Sequence, residues 1–296
     1  MKTKYENIIF CDDVMNVLKN MPDKSVDMIY SDPDYNVGIK YNDKSYTRNF
    51  NEYIQWYVEL AQESFRVLKD DGNMFFINYP KQNANLRVRY LDDVCHEVVD
   101  YVWVYNTNVG HSPKKFTRAH RSILHCRKTK NNKWFKKTVA EPYKNPKDKR
   151  ILQNISNGSS GRMPYSWMYY DLVKNVSKDK TFHSCQIPLG LVEKLILAST
   201  LPNDLIFIHF GGSGNERIMA KQLGRKYVSA EIDEIYYNMI LDRIRLDGDI
   251  PTKYKLPIRN KNHEKESNRF YRRPLFTQRG ARRLHTIRIR GPFRSR

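Results

Sequence analysis

Short apolar runs separated by amphipathic helical patterns constrain the fold of this chain more than any other feature. Residues 53–68 place apolar side chains three or four positions apart, which predicts a helix with one apolar stripe. Residues 70–72 (Asp, Asp, Gly) are expected to end it. Two further helices are predicted at Leu189–Ser199 and Glu216–Leu223.

The apolar runs that predict buried strands are Ile8–Phe10, Val26–Tyr30, Met74–Asn78, Tyr101–Tyr105, Leu205–Phe210 and Tyr227–Glu231. Strands that alternate with helices predict an α/β fold with a largely parallel sheet covered on both faces.

The net charge of +20 is unevenly distributed along the 296 residues. Residues 106–184 hold 18 Lys and Arg against 4 Asp and Glu, and residues 251–296 hold 15 against 2. The remainder carries a net charge of −7. A mildly acidic body with two basic segments is typical of a protein that binds a polyanion through phosphate contacts. Nucleic acid is therefore the expected partner, and solvated lysines are the alternative explanation.

The α/β rhythm divides the chain into three parts. Residues 1–105 and 185–250 carry the rhythm and are expected to form the catalytic and cofactor-binding domain. Residues 106–184 are polar and rich in turn signals, which predicts an insertion carried by the sheet. Residues 251–296 have little periodicity and are expected to be a basic tail that is disordered or ordered by a partner.

The sequence contains no apolar run of about 18 residues, the length that a membrane helix needs. The first ten residues lack the apolar stretch of a secretory signal, so a cytoplasmic protein without a membrane partner is expected. The four cysteines show no metal-ligand spacing. We expect reduced thiols and no metal site.

The segment Ser31-Asp32-Pro33-Asp34-Tyr35-Asn36 directly follows a predicted strand. Ligands of an open α/β sheet bind beyond the carboxyl ends of its strands. The Asp32 carboxylate and the Pro33 carbonyl would both be acceptors at that edge, and an amino nitrogen bonded by two acceptors exposes its lone pair to an electrophilic methyl group. Tyr35 could stack on a base extracted from a duplex. The alternative is a turn with a packing tyrosine.

The segment Phe210-Gly211-Gly212-Ser213-Gly214 lies between a predicted strand and a predicted helix. Glycines allow the backbone to approach a ligand, and the helix N-terminus favours a negative group such as a carboxylate. Glu231 follows the next strand, where an acidic residue can bind ribose hydroxyls. The alternative is an ordinary turn between strand and helix.

Together these segments resemble the β-group of DNA amino-methyltransferases, which modify adenine N6 or cytosine N4. The characteristic feature is their order: catalytic motif, recognition insertion, cofactor glycines. The segments Cys11-Asp12, Asp23–Asp27, His120–Leu124 and Leu223–Arg225 also resemble this family. The resemblance covers residues 5 to 245 and implies a Rossmann-like methyltransferase sheet, mostly parallel with one reversed strand. It also implies S-adenosyl-L-methionine as cofactor and double-stranded DNA as partner, with a homodimer or second subunit left open.

The resemblance also implies site residues. Asp32, Pro33 and Tyr35 would be catalytic, holding and orienting the target base. Asp12 would bind the cofactor adenine and Glu231 its ribose, and the methionine end would lie near the glycine segment and residues 185–188. The cofactor-binding set is thus Cys11, Asp12, Asp32, Cys185, Gln186, Pro188, Phe210, Gly211, Gly212, Ser213, Gly214 and Glu231. Candidate contacts to phosphate or guanine in the insertion are Lys114, Lys115, Arg118, Arg121 and Arg162.

Aspartate at the first catalytic position is usual in the adenine enzymes and serine in the cytosine enzymes, so Asp32 favours adenine while Ser31 keeps cytosine open. The chain departs from the family pattern at Asp34, Ile187, Ile208, His209 and Asn215. These departures leave open a catalytically impaired DNA-binding subunit. A methyltransferase acting on RNA is a further alternative, and a nicotinamide oxidoreductase is disfavoured because the glycine spacing is not GxGxxG.

Overall fold

The computed structural model describes residues 5–41, 44–106, 113–175 and 177–256. Eight strands within these ranges form one sheet, and two short strands form a separate hairpin. The strands are β1 (Ile8–Phe10), β2 (Val26–Ser31), β3 (Lys40–Tyr41), β4 (Lys44–Ser45), β5 (Leu68–Asn78), β6 (Glu97–Val104), β7 (His120–Arg127), β8 (Trp167–Tyr169), β9 (Leu205–Ile208) and β10 (Lys226–Ala230). The order across the sheet is β1-β10-β9-β2-β5-β7-β6-β8.

Only β7 is reversed within this sheet. It pairs antiparallel with β5 and with β6, and the other neighbouring strands of the sheet pair in parallel. The prediction of a mostly parallel sheet with one reversed strand is confirmed. The six predicted strands are all present among the described residues, with ends shifted by a few residues.

Helices cover both faces of the sheet because β2 and its neighbours are apolar on both sides. Ile29 faces a core that contains α1 and α2, whereas Met28 and Tyr30 face a second core that contains α7 and α8. The helices are α1 (Val14–Lys19), α2 (Phe50–Val67), α3 (Pro80–Leu86), α4 (Asp92–Val94), α5 (Lys136–Val139), α6 (Lys149–Ser156), α7 (Leu189–Ser199), α8 (Asn215–Gln222) and α9 (Glu234–Arg245), with a π turn at Arg87–Leu91 and a 3₁₀ turn at Thr252–Tyr254.

The first long helix ends within one residue of its predicted end, but residues 70–72 do not form the predicted stop before the next strand. α2 ends at Val67, and β5 begins at Leu68, so the Asp-Asp-Gly segment lies inside a strand. Backbone bonds from Lys24 to Arg66 and from Ser25 to Val67 bring this segment beside β2. The pairing partner, rather than local turn propensity, decides its conformation.

The boundary of the predicted insertion also needs correction, because β7 lies inside residues 106–184 and is a central strand of the sheet. The polar residues of β7 interrupt the apolar pattern that predicts a buried strand. Their partners are internal: Asn83 donates to Ser122, and His125 lies 2.8 Å from Asn73. Within the described part of residues 106–184, the segments outside the sheet are therefore 113–119 and 128–184, apart from the short edge strand β8.

The start of the predicted tail is likewise folded. Tyr254 is buried and packs with Tyr236, and Lys255 pairs with Thr181 in an isolated bridge. Residues 257–296, which contain the Arg-rich end, lie outside the described residues, as does His111. In the part of the chain that is described, no helix is long and apolar enough to cross a membrane.

Candidate active-site cleft

Four parallel strands end in one row at the same edge of the sheet. The register pairs Phe10 with Ala230, Ser229 with Ile208, and Ile208 with Tyr30. This is the edge beyond which open α/β sheets bind ligands. The predicted site residues Asp12, Asp32, Phe210 to Gly214 and Glu231 follow these four strands directly.

A cleft of about 1140 Å³, partly open to solvent, lies beyond this edge. It gathers residues from distant parts of the chain that the sequence analysis selected. Those that line it are Asp12, Asp32, Pro33, Cys185, Phe210, Gly211, Gly212, Ser213 and Glu231.

Asp32 is the first residue after β2 and is partly buried at the cleft wall. Its Oδ1 atom accepts a 2.6 Å hydrogen bond from the Tyr35 hydroxyl. Burial is the largest influence on the pKa of Asp32 and raises it to about 7. The hydrogen bond from Tyr35 lowers this pKa, and the nearby Glu216 carboxylate raises it. The other oxygen, Oδ2, has no hydrogen-bond partner among the described residues, which leaves it available as an acceptor.

Neighbouring side chains fix the loop after Asp32. Tyr53 donates a 2.6 Å hydrogen bond to the Asp34 carbonyl, and Gln82 donates a 2.7 Å bond to the Tyr35 carbonyl. The carbonyl of Pro33 forms no hydrogen bond within the described ranges. The loop therefore holds two acceptors on consecutive residues, Asp32 Oδ2 and the Pro33 carbonyl, that have no partner among the described residues.

The structure places Tyr35 differently from the sequence interpretation. Its side chain is 1% exposed and does not line the cleft. The ring lies 5.3 Å from the Tyr79 ring, and the Arg121 guanidinium lies 4.5 Å above it. As folded here, the ring cannot stack on a base, and the contact that Tyr35 makes with the site is the hydroxyl bond to Asp32.

Arg121 was one of five candidates for a contact to phosphate or guanine, but the structure buries it among aromatic rings. The residue is on β7, is 8% exposed, and donates a 2.6 Å hydrogen bond to the Tyr105 hydroxyl. Its guanidinium also lies near the rings of Tyr79 and Trp103. Arg121 is thus held inside an aromatic cage behind Asp32, where its positive charge lowers the pKa of the Asp32 carboxyl.

The glycine turn is braced from behind by two arginines that the sequence analysis missed. Arg217 donates a 2.7 Å hydrogen bond to the Gly211 carbonyl, and Arg243 donates to the Ser213 carbonyl. A side chain at Gly211 would lie 2.6 Å from Glu231, so this position requires glycine. Gly214 has a φ of 83° and precedes α8, so it shapes the turn without lining the cleft.

Glu231 and Asp12 lie on the same side of the cleft. The Glu231 carboxylate accepts hydrogen bonds from the backbone N–H of Gly212 at 2.7 Å and of Asp233 at 2.9 Å. It therefore ties the end of β10 to the glycine turn. Asp12 is exposed and caps its own loop through Asp13 and Asn16. Cys11, which was expected at the cofactor, is exposed and does not line the cleft.

The segment at residues 183–188 contributes fewer cleft residues than expected. Cys185 lines the cleft, and so does His183, which the sequence analysis had not assigned to the cofactor. Gln186 instead accepts a hydrogen bond from the Thr181 backbone, and Pro188 precedes α7. Gln186 and Pro188 therefore hold the loop and lie outside the cleft lining.

The residue types in the cleft fit S-adenosylmethionine, which carries two cationic groups, hydroxyl groups and an adenine ring. Carboxylates predominate over cations: the acidic residues in the lining are Asp12, Asp13, Asp32, Asp34, Glu216, Glu231 and Asp233. Arg48 is the lining residue of opposite charge within the described chain. Aromatic walls are supplied by Trp56, Phe210 and Tyr236. An acidic, aromatic cleft suits a cationic nucleoside, whereas a phosphate would be repelled.

Most of the departures from the family pattern have structural roles that leave the cleft open. Ile187 and Ile208 are buried in the apolar core. Asn215 donates a 2.7 Å hydrogen bond to the Ile187 carbonyl and accepts one from Arg243. These residues join the 183–188 loop to α8. Asp34 and His209 are the two departures that line the cleft.

His209 has a defined tautomer because of its neighbour. Ser64 donates its hydroxyl hydrogen to the Leu60 carbonyl, so the 3.3 Å contact between Ser64 Oγ and His209 Nε2 requires hydrogen on Nε2. Burial lowers the pKa of His209 to about 3, so the ring is neutral. Nδ1 is then a buried acceptor with no partner among the described residues.

Comparison with known proteins identifies the family. The family model of N6 and N4 methyltransferases, described as DNA methylase, matches residues 26–242. The chain belongs to this family of DNA methylases. The Type II methyltransferase M.BglII of Bacillus subtilis is 29% identical over 79% of this chain and 67% of its own length.

Solved structures support the same fold. The PvuII DNA methyltransferase, which is cytosine-N4-specific, superposes with a TM-score of 0.60 at 18% identity and covers 88% of this chain and 89% of its own. The M1.HpyAVI complex with S-adenosylmethionine superposes with a TM-score of 0.52 at 22% identity, over 79% of this chain and 98% of its own. These likenesses concern the Rossmann-like sheet and its order.

Family membership settles the general activity and the cofactor. The protein is a DNA methyltransferase that uses S-adenosylmethionine and acts on an amino group, as the sequence analysis predicted. A nicotinamide oxidoreductase is thereby excluded. The choice between adenine and cytosine does not follow from the family, because the model covers both.

Proposed function

We propose that this methylase transfers a methyl group to N6 of adenine in double-stranded DNA. The observation that carries this proposal is the pair of unengaged acceptors, Asp32 Oδ2 and the Pro33 carbonyl, at the cleft edge. When bound, S-adenosylmethionine supplies the methyl group. The two acceptors hold the two hydrogens of the target amino group and direct its lone pair towards the cleft. Orientation of this kind contributes a large part of the rate of a bimolecular transfer.

In the same proposal, the other residues hold the cofactor and the loop. Asp12, Cys185, Phe210 to Ser213 and Glu231 surround the cofactor, since they share one cleft. Tyr35 anchors Asp32 through its hydroxyl, so that Oδ2 is the oxygen left for the target base. No covalent intermediate with the protein would be needed, because S-adenosylmethionine, when bound, would supply a methyl group on a sulfonium that leaves as the neutral thioether S-adenosylhomocysteine. The methylated amino nitrogen would then release one of its protons to solvent.

DNA recognition is assigned to the basic segment, with the corrected limits of residues 113–119 and 128–184. Arg118 and Arg162 stay among the candidates, although Arg162 is paired with Glu141 at 2.6 Å. Phe116 is fully exposed beside Lys114 and Lys115, which suits a loop that meets a duplex. A homodimer or second subunit would add a further basic surface.

Cytosine N4 is the second candidate target. The likeness in fold to the PvuII enzyme, which is cytosine-N4-specific, favours it. Against it, Ser31 is fully buried, and the residue that lines the cleft is Asp32. The N4 amino group of cytosine carries the same two hydrogens as the N6 amino group of adenine, so the acceptor pair fits either base. The preference for adenine rests on aspartate, rather than serine, at the first catalytic position in the cleft.

The test is to express the chain in a host without DNA methyltransferases and to quantify methylated nucleosides in its DNA by mass spectrometry. We expect N6-methyladenine that is absent with the Asp32→Ala variant. N4-methylcytosine would replace the adenine assignment with the second candidate. Neither product, with soluble wild-type protein, would favour the catalytically impaired subunit.

A further inference from the structure

Glu216 is an acidic residue in the cleft that the motif analysis did not assign. It is the second residue of α8 and follows the glycine turn by two positions. Its side chain is only 6% exposed, yet it lines the cleft together with Asp32 and Gly211. The carboxylate therefore faces the space between the target-base loop and the glycine turn.

No cation of the described chain forms an ion pair with Glu216. The nearest arginines, Arg217 and Arg243, lower the pKa of Glu216, but burial is the larger influence and raises it. Arg217 donates to Gly211 and Ser229, and Arg243 donates to Ser213, Asn215 and Gly248. The Glu216 carboxylate is left with a hydrogen bond from its own backbone N–H.

A buried carboxylate without a cationic partner destabilises a protein, because it loses hydration and gains little in return. Such a group is understandable when its partner arrives with a ligand. The methionine half of S-adenosylmethionine carries two positive groups, the α-ammonium and the sulfonium. The glycine turn next to Glu216 is where that half is expected to lie.

We propose that Glu216 is the anionic anchor that pairs with a positive group of the cofactor's methionine half. This inference rests on S-adenosylmethionine as the cofactor and adds a binding residue that the motif resemblance does not supply. Glu216 acts on the methyl donor, whereas Asp32 acts on the target base.

The experiment uses the full-length protein and the variant Glu216→Gln, which keeps the shape of the side chain and removes its charge. Glu193→Gln is the matched control, because Glu193 is an exposed glutamate on α7. Isothermal titration calorimetry gives the Kd for S-adenosylmethionine and for S-adenosylhomocysteine, which keeps the ammonium and lacks the sulfonium. Differential scanning calorimetry gives the Tm without ligand.

We expect Glu216→Gln to weaken S-adenosylmethionine binding by about tenfold to a hundredfold, the scale of a charged hydrogen bond, while the ligand-free Tm is equal or higher. Equal weakening of both ligands assigns the ammonium as partner, and weakening of S-adenosylmethionine alone assigns the sulfonium. Glu193→Gln should change neither quantity.

Unchanged binding of S-adenosylmethionine by Glu216→Gln would overturn this inference. Unchanged binding together with a lower ligand-free Tm would indicate a structural carboxylate. That outcome would leave the proposed function intact, provided the wild-type chain binds S-adenosylmethionine. A folded wild-type chain that binds neither ligand would contradict both.

Discussion

The two ends of strand β2 carry aspartates with opposite surroundings. At its start, Asp27 is 2% exposed and accepts hydrogen bonds from Lys69, from Lys133 at 2.7 Å and from the Leu205 backbone. Burial alone would raise the pKa of Asp27, but these bonds outweigh it and the pKa is lowered. At the other end, Asp32 has one hydroxyl donor and a pKa raised to about 7.

This difference separates a structural carboxylate from a functional one. The charge on Asp27 is neutralised by lysines of the chain itself, and it joins β2, β5 and β9 at the edge away from the cleft. The acceptor capacity of Asp32 is left open at the edge where ligands bind. Asp27 is buried and neutralised by lysines, whereas Asp32 and Glu216 face the cleft and form no ion pair with a cation of the described chain.

The largest expected effect on stability comes from replacing Asp27, the carboxylate that is paired with lysines. Asp27→Ala leaves the Leu205 N–H without its acceptor and removes one of the carboxylate partners of Lys133, which keeps Asp204 at 3.1 Å. A buried donor that is left without an acceptor costs about 1–3 kcal/mol. The free energy of unfolding, measured by urea denaturation, should fall by that amount. The variant should keep its affinity for S-adenosylmethionine at a temperature where it is folded; loss of affinity there would contradict a purely structural role.

The pH dependence of methyl transfer should report the ionisation of Asp32, the aspartate at the cleft end of β2. Below about pH 7 the Asp32 carboxyl is protonated and loses acceptor capacity, so kcat/KM should rise about tenfold per pH unit up to that value and then level. Initial rates on duplex DNA between pH 5.5 and 8.5 measure this.

Two controls sharpen that profile. Circular dichroism at each pH confirms that the protein stays folded. Asp34→Asn should move the midpoint slightly downward, because the Asp34 charge raises the pKa of Asp32, and by less than the upward shift expected from removing Arg121. A flat profile, or a midpoint near pH 4, would contradict the account of Asp32.

A smaller effect is expected from the caged arginine. Arg121→Gln removes the positive charge that lowers the pKa of Asp32, so the midpoint of the pH profile should move upward and the rate near pH 7 should fall several-fold. The rate at pH 8.5 should recover. Arg118→Gln is the matched control for the midpoint, which should stay unchanged, since Arg118 contacts Tyr79 in the same region but does not act on the pKa of Asp32. As a candidate DNA contact, Arg118 would change the rate equally at every pH. Equal losses at every pH would indicate that Arg121 acts only through packing.

Much of the fold could be predicted because its strands are apolar on both faces. β9 is wholly apolar, Asp27 and the terminal Ser31 are the polar side chains that interrupt the apolar run of β2, and α7 is predicted to the residue. β7 was missed because its polar side chains are satisfied by residues far along the chain, such as Asn73 and Asn83. Such long-range partners leave no local periodicity.

The candidate site was predictable where backbone geometry follows from residue type. The Asp-Pro turn and the glycine turn were placed correctly because both follow strands of one sheet. The orientation of Tyr35, the cage around Arg121 and the exposure of Glu216 to the cleft depend on packing between elements. A single sequence carries no signal for these contacts.

The most direct test of the central claim compares purified Asp32→Ala with wild type in single-turnover methyl transfer at pH 8, with the Tm measured on the same samples. The account predicts a loss of about 100-fold or more, the scale on which removal of one positioned polar group lowers turnover, with a Tm within a few degrees of wild type. Methyl transfer at the wild-type rate by the folded variant would contradict the claim that Asp32, at the cleft end of β2, positions the target amino group for methyl transfer.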